Sequence, residues 1–258
     1  MKRRHTRKRP KKVYRGGNNI KMGVMAMFKN EAMVLKEWIE HYIWQGADTI
    51  LLMNNNSTDD YKNIIDQFKD KVHLIDTPDE YSQIREYNDK GIPFFKKHKI
   101  DTLVIVDVDE YMFGKDGSSL KKHVIDIFGK PERPSQFSCK WTMFGSSGHE
   151  KHPESIRKSF TWKQKGTAEE TKSVVWVNDV ISVDLHKCQV KGKTIPCPRG
   201  IQLNHYAIMS KEYFEKVKMT RGDAVQPSAK HTRDWNYFKG YDHREEEDTT
   251  LKDLILKI

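Results

Sequence analysis

Short apolar runs alternate with amphipathic segments over residues 21–106. The runs are typical of buried strands because each is short and bounded by polar or glycine positions; they cover 21–28, 49–53, 72–75 and 103–106. Apolar residues at helical spacing predict helices between them, over 32–45, around 61–68 and over most of 80–99. This alternation predicts an α/β fold with a mostly parallel central sheet flanked by helices.

The pattern becomes mixed after residue 115. Apolar runs at 138–144, 171–177, 180–185 and 202–208 predict strands, and the spacing over 211–219 predicts a helix. We therefore expect one domain over 19–258, built from an α/β half (19–115) and a mixed half (116–258).

Polar clusters follow three of the predicted parallel strands. Asn30-Glu31 follows the first strand, residues 54–59 the second and residues 107–110 the fourth. Ligands of open parallel sheets bind beyond the carboxyl ends of the strands. Three such clusters on one edge predict a binding site there.

Net charge is concentrated at one end of the chain. The formal charge is +10, but residues 1–18 contain nine Lys or Arg residues and no acidic residue, which leaves the rest nearly neutral. We expect a disordered basic tail, with nuclear localisation or polyanion binding as its alternative role, and no nucleic-acid surface on the body. Three cysteines without a CxxC pair argue against a disulfide framework or a zinc cluster and favour a reducing compartment.

Asp107-Val108-Asp109 belongs to the third of these polar clusters and carries two carboxylates. Alternate residues on a strand share a face, so both carboxylates are expected to point the same way. Two close carboxylates favour a hard divalent cation, whose natural partner is a diphosphate. Two alternatives stay open. One is a solvated strand-end turn, and the other is a phosphatase of the haloacid dehalogenase type, against which Tyr111 and the position of the strand count.

Several ordered blocks resemble glycosyltransferase family 92 and related family 2-like sequences of the GT-A fold. The blocks span about residues 22–250 and are Lys29-Asn30-Glu31 with the helix after it, the loop from Asn54 to Asp60, Asp107-Val108-Asp109-Glu110-Tyr111, Trp141 to His149, Lys172 to Val175, Asn204-His205-Tyr206 and Arg221-Gly222-Asp223. The RGG-containing tail resembles those of proteins from large DNA viruses. The resemblance implies a GT-A fold whose first half binds the nucleotide and whose second half binds the acceptor.

The family's activity implies a metal-dependent transfer of a sugar from a nucleoside diphosphate to a hydroxyl of a glycan or another acceptor. By that resemblance, Asp107, Asp109 and His205 would bind Mn²⁺ or Mg²⁺, with Asp107 alternatively on the ribose and Glu110 supporting them. His205 as a core residue and His186 as the ligand are the alternatives. Donor binding would use Asn30, Glu31, Asn54, Asn55, Arg85, Lys172 and Arg221, the three basic residues being phosphate candidates that are otherwise surface charges. Many relatives carry Asp where this chain has Asn54 or Asn55; an Asn carbonyl can still accept from uracil, so UDP is favoured.

Inversion at the sugar requires a base, for which His149 and Glu150 are the candidates. The alternative is that residues 145–148 form a flexible lid. We expect a cytoplasmic protein, since no apolar run is long enough for a membrane span and the sequons at Asn55 and Asn56 lie in the donor loop. Nucleic-acid binding through the tail is the remaining alternative.

Overall fold

The structure is a computed structural model that describes residues 19–221 and 233–257. The basic tail lies outside the described residues, as do Gly222 and Asp223.

Fourteen short strands occur in the described residues. They are β1 (Met22–Phe28), β2 (Thr49–Asn54), β3 (Val72–Asp76), β4 (Thr102–Ile105), β5 (Glu110–Gly114), β6 (Gln136–Lys140), β7 (Thr142–Met143), β8 (Trp162–Lys163), β9 (Thr171–Trp176), β10 (Val180–Ser182), β11 (Gln189–Val190), β12 (Thr194–Pro196), β13 (Ile201–His205) and β14 (Glu246–Glu247).

The helices of the same residues are short apart from the first. They are α1 (Ala32–Trp44), α2 (Tyr61–Ile65), α3 (Gln83–Glu86), α4 (Ile92–Lys97), α5 (Leu120–Phe128), α6 (Ile156–Ser159), α7 (Lys211–Tyr213), α8 (Trp235–Tyr241) and α9 (Thr250–Ile255). Wide π-helical turns at Tyr87–Gly91 and Phe214–Lys218 extend α3 and α7.

A seven-stranded sheet in the order β12-β6-β9-β4-β1-β2-β3 forms the centre. β4, β1, β2 and β3 are parallel, whereas β9 runs antiparallel to β4 and β6. The expected mixed α/β fold with a mostly parallel sheet is thus confirmed. The antiparallel β9 matters for the site, because it brings a strand of the second half beside β4.

Helix α1 carries the largest part of the core on one face of the sheet. Trp38, Ile39 and Tyr42 are fully buried there. Two of these side chains also hold the turn after β4: Trp38 Nε1 donates to the carbonyls of Asp107 (3.0 Å) and Glu110 (3.1 Å), and Tyr42 Oη donates to Glu110 (3.0 Å). The core therefore fixes the backbone that presents the acidic motif.

Two expectations about strands are wrong in detail. β4 ends at Ile105, so Asp107 and Asp109 lie in a turn and not on a strand; the turn places the carboxylates, and strand alternation does not. The apolar run at 138–144 breaks at Trp141 into β6 and β7, which belong to different sheets. β7 joins a small sheet in which β13 pairs antiparallel with β5.

Cysteine pairing also differs from the expectation. Cys139 on β6 and Cys197 after β12 form a disulfide across 58 residues of chain, while Cys188 is a buried free thiol. The cysteines therefore no longer favour a reducing compartment. Among the described residues, no helix has the length and apolar character needed to cross a membrane.

Candidate active site

A cavity of about 430 Å³ opens at the carboxyl ends of β1, β2 and β4. The second half closes it with side chains from β9, β13 and the π-turn after α7. Four acidic and three basic side chains form the floor of the cavity or lie directly beneath it, and we call this set the charged floor: Glu31, Asp107, Asp109, Glu110, Lys172, Lys218 and Arg221.

Asp107 is held from two sides. Lys172 Nζ lies 2.6 Å from Asp107 Oδ2, and Gln83 Nε2 donates to Asp107 Oδ1 at 3.1 Å. Lys172 is buried on β9, so only the antiparallel placement of that strand brings it beside β4. Burial raises the pKa of Asp107, but Lys172 outweighs it and the pKa lies below its ordinary value. Asp107 is therefore an anion with one face toward the cavity.

Asp109 meets a lysine and a histidine. Lys218 Nζ lies 2.5 Å from Asp109 Oδ2, and His205 Nε2 lies 3.6 Å from Asp109 Oδ1. Burial opposes ionisation of Asp109, but Lys218 and His205 outweigh it and hold its pKa well below the ordinary value. His205 reaches this position because β13 pairs with β5 in a register that sets it opposite Glu110. Its ring packs on Trp141 at 4.3 Å between centroids.

Glu31 is another acidic member of the charged floor and is almost fully enclosed. Its Oε1 accepts from Tyr213 Oη at 2.9 Å and from Arg221 Nη2 at 2.5 Å, with Lys218 Nζ 3.7 Å away. Arg221 also donates to the carbonyl of Lys29 at 3.2 Å. These bonds tie the end of β1 to the segment after α7.

Glu110 lies beneath the floor with no exposed surface. Burial raises its pKa to about 7, partly offset by Lys172. Its Oε2 accepts from the Asp107 amide, whereas its Oε1 has no hydrogen-bond partner. Since Lys172 Nζ is 3.6 Å from that free oxygen, Glu110 contributes to the field around Asp107.

Asp109, Glu110 and His205 could hold a metal ion together. Each offers one ligand atom, and these atoms lie within 4.8 Å of one another. The unpartnered Glu110 Oε1 and His205 Nδ1 show that polar atoms of this cluster lack partners in the protein. Two carboxylates and an imidazole suit a first-row divalent ion, so the residues fit a metal. Asp107 and His186 line the cavity but do not belong to this cluster; the His186 ring packs on Trp141, as the His205 ring does.

Donor candidates from the first half divide into two groups. Asn55 lines the cavity, and its Nδ2 donates to the carbonyls of Thr77 (2.7 Å) and Asp79 (2.9 Å). Asn54, Asn30 and Arg85 do not line it.

The side chains of that second group bond to neighbouring loops. Asn54 Nδ2 donates to Tyr61 and Asp76, and its Oδ1 accepts from the Ser57 amide. Asn30 Oδ1 accepts from the Thr58 amide at 2.7 Å. Arg85 forms ion pairs with Asp79 and Glu86.

The two candidate bases are directed away from the cavity. His149 Nε2 lies 3.2 Å from the Ser159 carbonyl, and its ring packs on Phe160. Glu150 is exposed and pairs with Lys211 at 2.7 Å. Neither lines the cavity, and their role as base stays a prediction without support from this geometry.

Lys218, Gln83 and Tyr213 are site residues that sequence reasoning missed. Lys218 belongs to the helix predicted over 211–219 and comes three residues before Arg221. The π-turn at Phe214–Lys218 directs its side chain differently from a regular helix, so helical spacing does not predict where it points. The only sequence signal was its proximity to the block at Arg221.

A family model for glycosyltransferase family 92 matches residues 18–254, so the chain belongs to that family. The family is one of transferases, which sets aside the phosphatase interpretation of Asp107 and Asp109. No curated protein matches the chain.

Solved structures show a weak likeness in fold. The nucleotide-complexed and uncomplexed forms of HddC from Yersinia pseudotuberculosis are two of them. HddC is 11% identical with a TM-score of 0.42 over 77% of this chain and 97% of that chain. Its form "complexed with GMP-PN" is 10% identical with a TM-score of 0.41 over 72% and 93%. A cytidylyltransferase from Leptospira borgpetersenii is 11% identical with a TM-score of 0.35 over 62% of each chain. Likeness at this level says nothing about activity.

Proposed function

We propose that the protein is a GT-A glycosyltransferase that moves a sugar from a nucleoside diphosphate, with UDP favoured, to a hydroxyl of a glycan or another acceptor. The observation that carries the proposal is the charged floor: a cavity at the carboxyl ends of parallel strands in which Asp107 and Asp109 face three basic side chains. A diphosphate binds both to such cations and to a metal held by carboxylates. The mixed sheet with antiparallel β9 supports the assignment to GT-A.

Asp109, with Glu110 and His205, would hold the metal, and Mn²⁺ is favoured because an imidazole joins the carboxylates. The metal would supply charge stabilisation to the departing diphosphate. Lys172 keeps Asp107 ionised, and Trp38 holds the turn that carries it. Asp107 would then bind the metal, its water or the ribose, while Lys172 and Arg221 favour the negative charge that develops as the anomeric C–O bond breaks.

Asn55 supports a uracil base. Its Nδ2 is bound by two carbonyls, which leaves Oδ1 as the acceptor of this cavity-lining side chain. Uracil N3–H is a donor, whereas cytosine N3 is an acceptor, so this oxygen favours uracil. Glu31 is closed off by Arg221 and Tyr213, and we therefore propose that it acts on the donor through Arg221.

Inversion would require the acceptor hydroxyl to attack from the side opposite the diphosphate and to lose its proton to a base. Among the described residues, titratable groups that line the cavity outside the charged floor include Glu80, Glu170 and His186. His149 and Glu150 would need to move to reach it. Proton NMR of the first product formed, read at the anomeric centre, tests inversion directly.

Cytoplasmic location is part of the proposal. A glycan on Asn55 would break its two bonds to backbone carbonyls, and Asn56 Nδ2 is likewise bound to the Pro78 carbonyl at 2.5 Å. These bonds support a chain that folds without glycans. The disulfide is the opposing observation. Mass spectrometry of both sequons and of Cys139 in protein from its native source decides between the two.

The proposal is tested by melting the full chain with UDP, GDP, CDP or ADP, each with Mn²⁺, Mg²⁺ or chelator. A nucleotide at 100 times its Kd should add about 2.7 kcal/mol to the free energy of unfolding. We expect the largest stabilisation from UDP with Mn²⁺. Asn55→Ala should reduce the preference for UDP, and Asn56→Ala is the matched control from the same loop. Stabilisation by no nucleotide, or by every nucleotide equally without metal, would contradict the proposal.

A further inference from the structure

Lys218 is the least expected member of the charged floor. Its side chain is 3% exposed, and its ammonium lies 2.5 Å from Asp109 Oδ2, on the residue best placed to bind a metal. An ammonium and a divalent ion compete for the same carboxylate, since both are cations that need its charge. Donor-free protein therefore already carries a cation on Asp109.

The net charge of the cavity also disfavours the binding of a divalent ion on its own. The floor pairs four carboxylates with three cations, and the rim adds two acidic and two basic side chains, Glu80, Glu170, Lys29 and Arg233. Little negative charge is left over to attract a divalent ion alone. A metal that enters together with a diphosphate brings its own compensating charge.

Lys218 differs from its neighbours in how it is held. Glu31 Oε1, its second acidic neighbour, is 3.7 Å away and already accepts from Arg221 and Tyr213. Lys172 has nearly the same distances, 2.6 Å to Asp107 and 3.6 Å to Glu110, but the Glu110 oxygen beside it has no other hydrogen-bond partner and stays available to it. Lys218 thus has a single close partner, and its long stem lets the ammonium turn when that partner is taken.

We propose that Lys218 exchanges Asp109 for the donor diphosphate: its ammonium neutralises Asp109 in the donor-free protein and binds the diphosphate once a divalent ion occupies Asp109. The inference rests on the proposed function and adds a residue and an order to it. Metal and donor would bind together, because the metal displaces the ammonium from Asp109 and the diphosphate then binds that ammonium. No covalent step is involved.

Removing the ammonium should then have opposite effects on two affinities. Lys218→Met frees Asp109 and should lower the Kd of Mn²⁺ alone by about tenfold or more, the effect of one charge-assisted hydrogen bond. The same variant lacks a phosphate partner and should raise the Kd of UDP at saturating Mn²⁺ by about the same factor. A merely structural lysine would not shift the two affinities in opposite directions.

Calorimetric titration of the full chain, stripped of metal, measures both constants. Lys163→Met is the matched control, since Lys163 is also a buried lysine, bound to Glu246 at 2.7 Å and outside the cavity. It should move neither Kd. If Lys218→Met fails to fold, Lys218→Gln retains a hydrogen bond without the charge and should give the same pair of shifts.

Opposite shifts in Lys218→Met or Lys218→Gln, absent from Lys163→Met, support the exchange. Two weakened affinities, two unchanged ones, or a shift in only one of them overturn it. Wild-type protein that binds neither Mn²⁺ nor UDP under any condition removes the proposed function itself, which distinguishes the two failures.

Discussion

The two halves of the chain contribute to the cavity in different ways. Polar side chains after the parallel strands, such as Asn30 and Asn54, form hydrogen bonds with neighbouring loops and so shape the loops at the rim of the cavity. Long basic side chains from the second half, Lys172 and Lys218, cross to the acidic turn and pair with its carboxylates. The first half supplies the frame of the site and the carboxylates of the charged floor, and the second half supplies its cations.

This difference shows what a motif in a loop indicates. A polar cluster at the carboxyl end of a strand marks the correct edge of the sheet, but most of its members satisfy the backbone of that loop. The ion pairs of the charged floor, by contrast, join the two halves across the cavity.

Asp109→Asn should have the largest effect. The proposed function requires this carboxylate for the metal, so turnover should fall by a factor of about 10²–10³, as for the loss of a principal electrostatic group. The variant also leaves Lys218 buried without its counter-charge, and breaking a buried pair costs about 3–5 kcal/mol of the free energy of unfolding.

Kinetics and denaturant unfolding measure the two effects of Asp109→Asn. Asp116→Asn is the control, because Asp116 is exposed and pairs only at the surface with His123. Normal turnover that is insensitive to chelator would exclude a metal on Asp109, and unchanged stability would show that the Lys218 pair contributes nothing to the fold.

The disulfide is a cross-link that only the second half has among the described residues. Loop-closure entropy for a separation of 58 residues corresponds to about 4 kcal/mol. Cys139→Ser and Cys197→Ser should each lower stability by about that amount under non-reducing conditions. Cys188→Ser, which removes the free thiol, is the control. If reductant leaves the melting temperature unchanged, the bridge is absent in solution and the argument for a reducing compartment returns.

The sequence predicts elements that pack against neighbours close in the chain better than contacts between segments far apart in it. β1 to β4 and α1 lie where the apolar pattern places them, because each buries a periodic face against neighbours close in the chain. The pattern does not predict β5, because this strand begins directly after the acidic turn and its first residues continue the polar cluster of that turn. The pairing of Cys139 with Cys197 depends on β6 and β12 lying side by side, which local pattern does not reveal.

The same reasoning applies to the site. Asp107 and Asp109 could be placed at one edge from the strand pattern and His205 from the family resemblance, and the structure brings the three to one cavity. Lys218 could not, because its direction depends on the π-turn and its partner lies 109 residues earlier. Arg85 has the charge that a phosphate attracts and lies on the helix before the fourth predicted strand, but its side chain pairs with two acids close in the chain, Asp79 and Glu86.

Glu110→Gln should change how the free energy of unfolding depends on pH. The folded pKa of about 7 lies above the ordinary 4.5, so the stability present below pH 4.5 is lost as pH rises through 7. Gln resembles the protonated acid and lacks this loss. The variant should match the wild type near pH 5 and exceed it by about 3 kcal/mol at pH 8.

The measurement is the difference between Glu110→Gln and the wild type at each pH. The difference is needed because buried His41, with a pKa lowered to about 3 by burial and Arg157, changes stability in the opposite sense over the same range. A variant that is equally stable relative to the wild type at pH 5 and pH 8 would show that Glu110 is ionised throughout and that Lys172 neutralises it fully.

Arg85→Ala should have the smallest effect and tests the first half directly. Arg85 is 53% exposed and pairs with Asp79 at the surface, where such pairs contribute little to stability. Its second partner, Glu86, is buried but keeps Lys90 at 2.7 Å when Arg85 is removed. We therefore expect the Kd of UDP with Mn²⁺ to change by less than about twofold and the melting temperature to stay nearly unchanged.

Arg244→Ala is the matched control, since Arg244 is 56% exposed and pairs with Asp242 at 3.3 Å. The two variants should behave alike in titration and unfolding. If Arg85→Ala alone weakens UDP binding tenfold or more, Arg85 turns to the phosphates on binding, and the second half is then not the part that supplies the cations of the site.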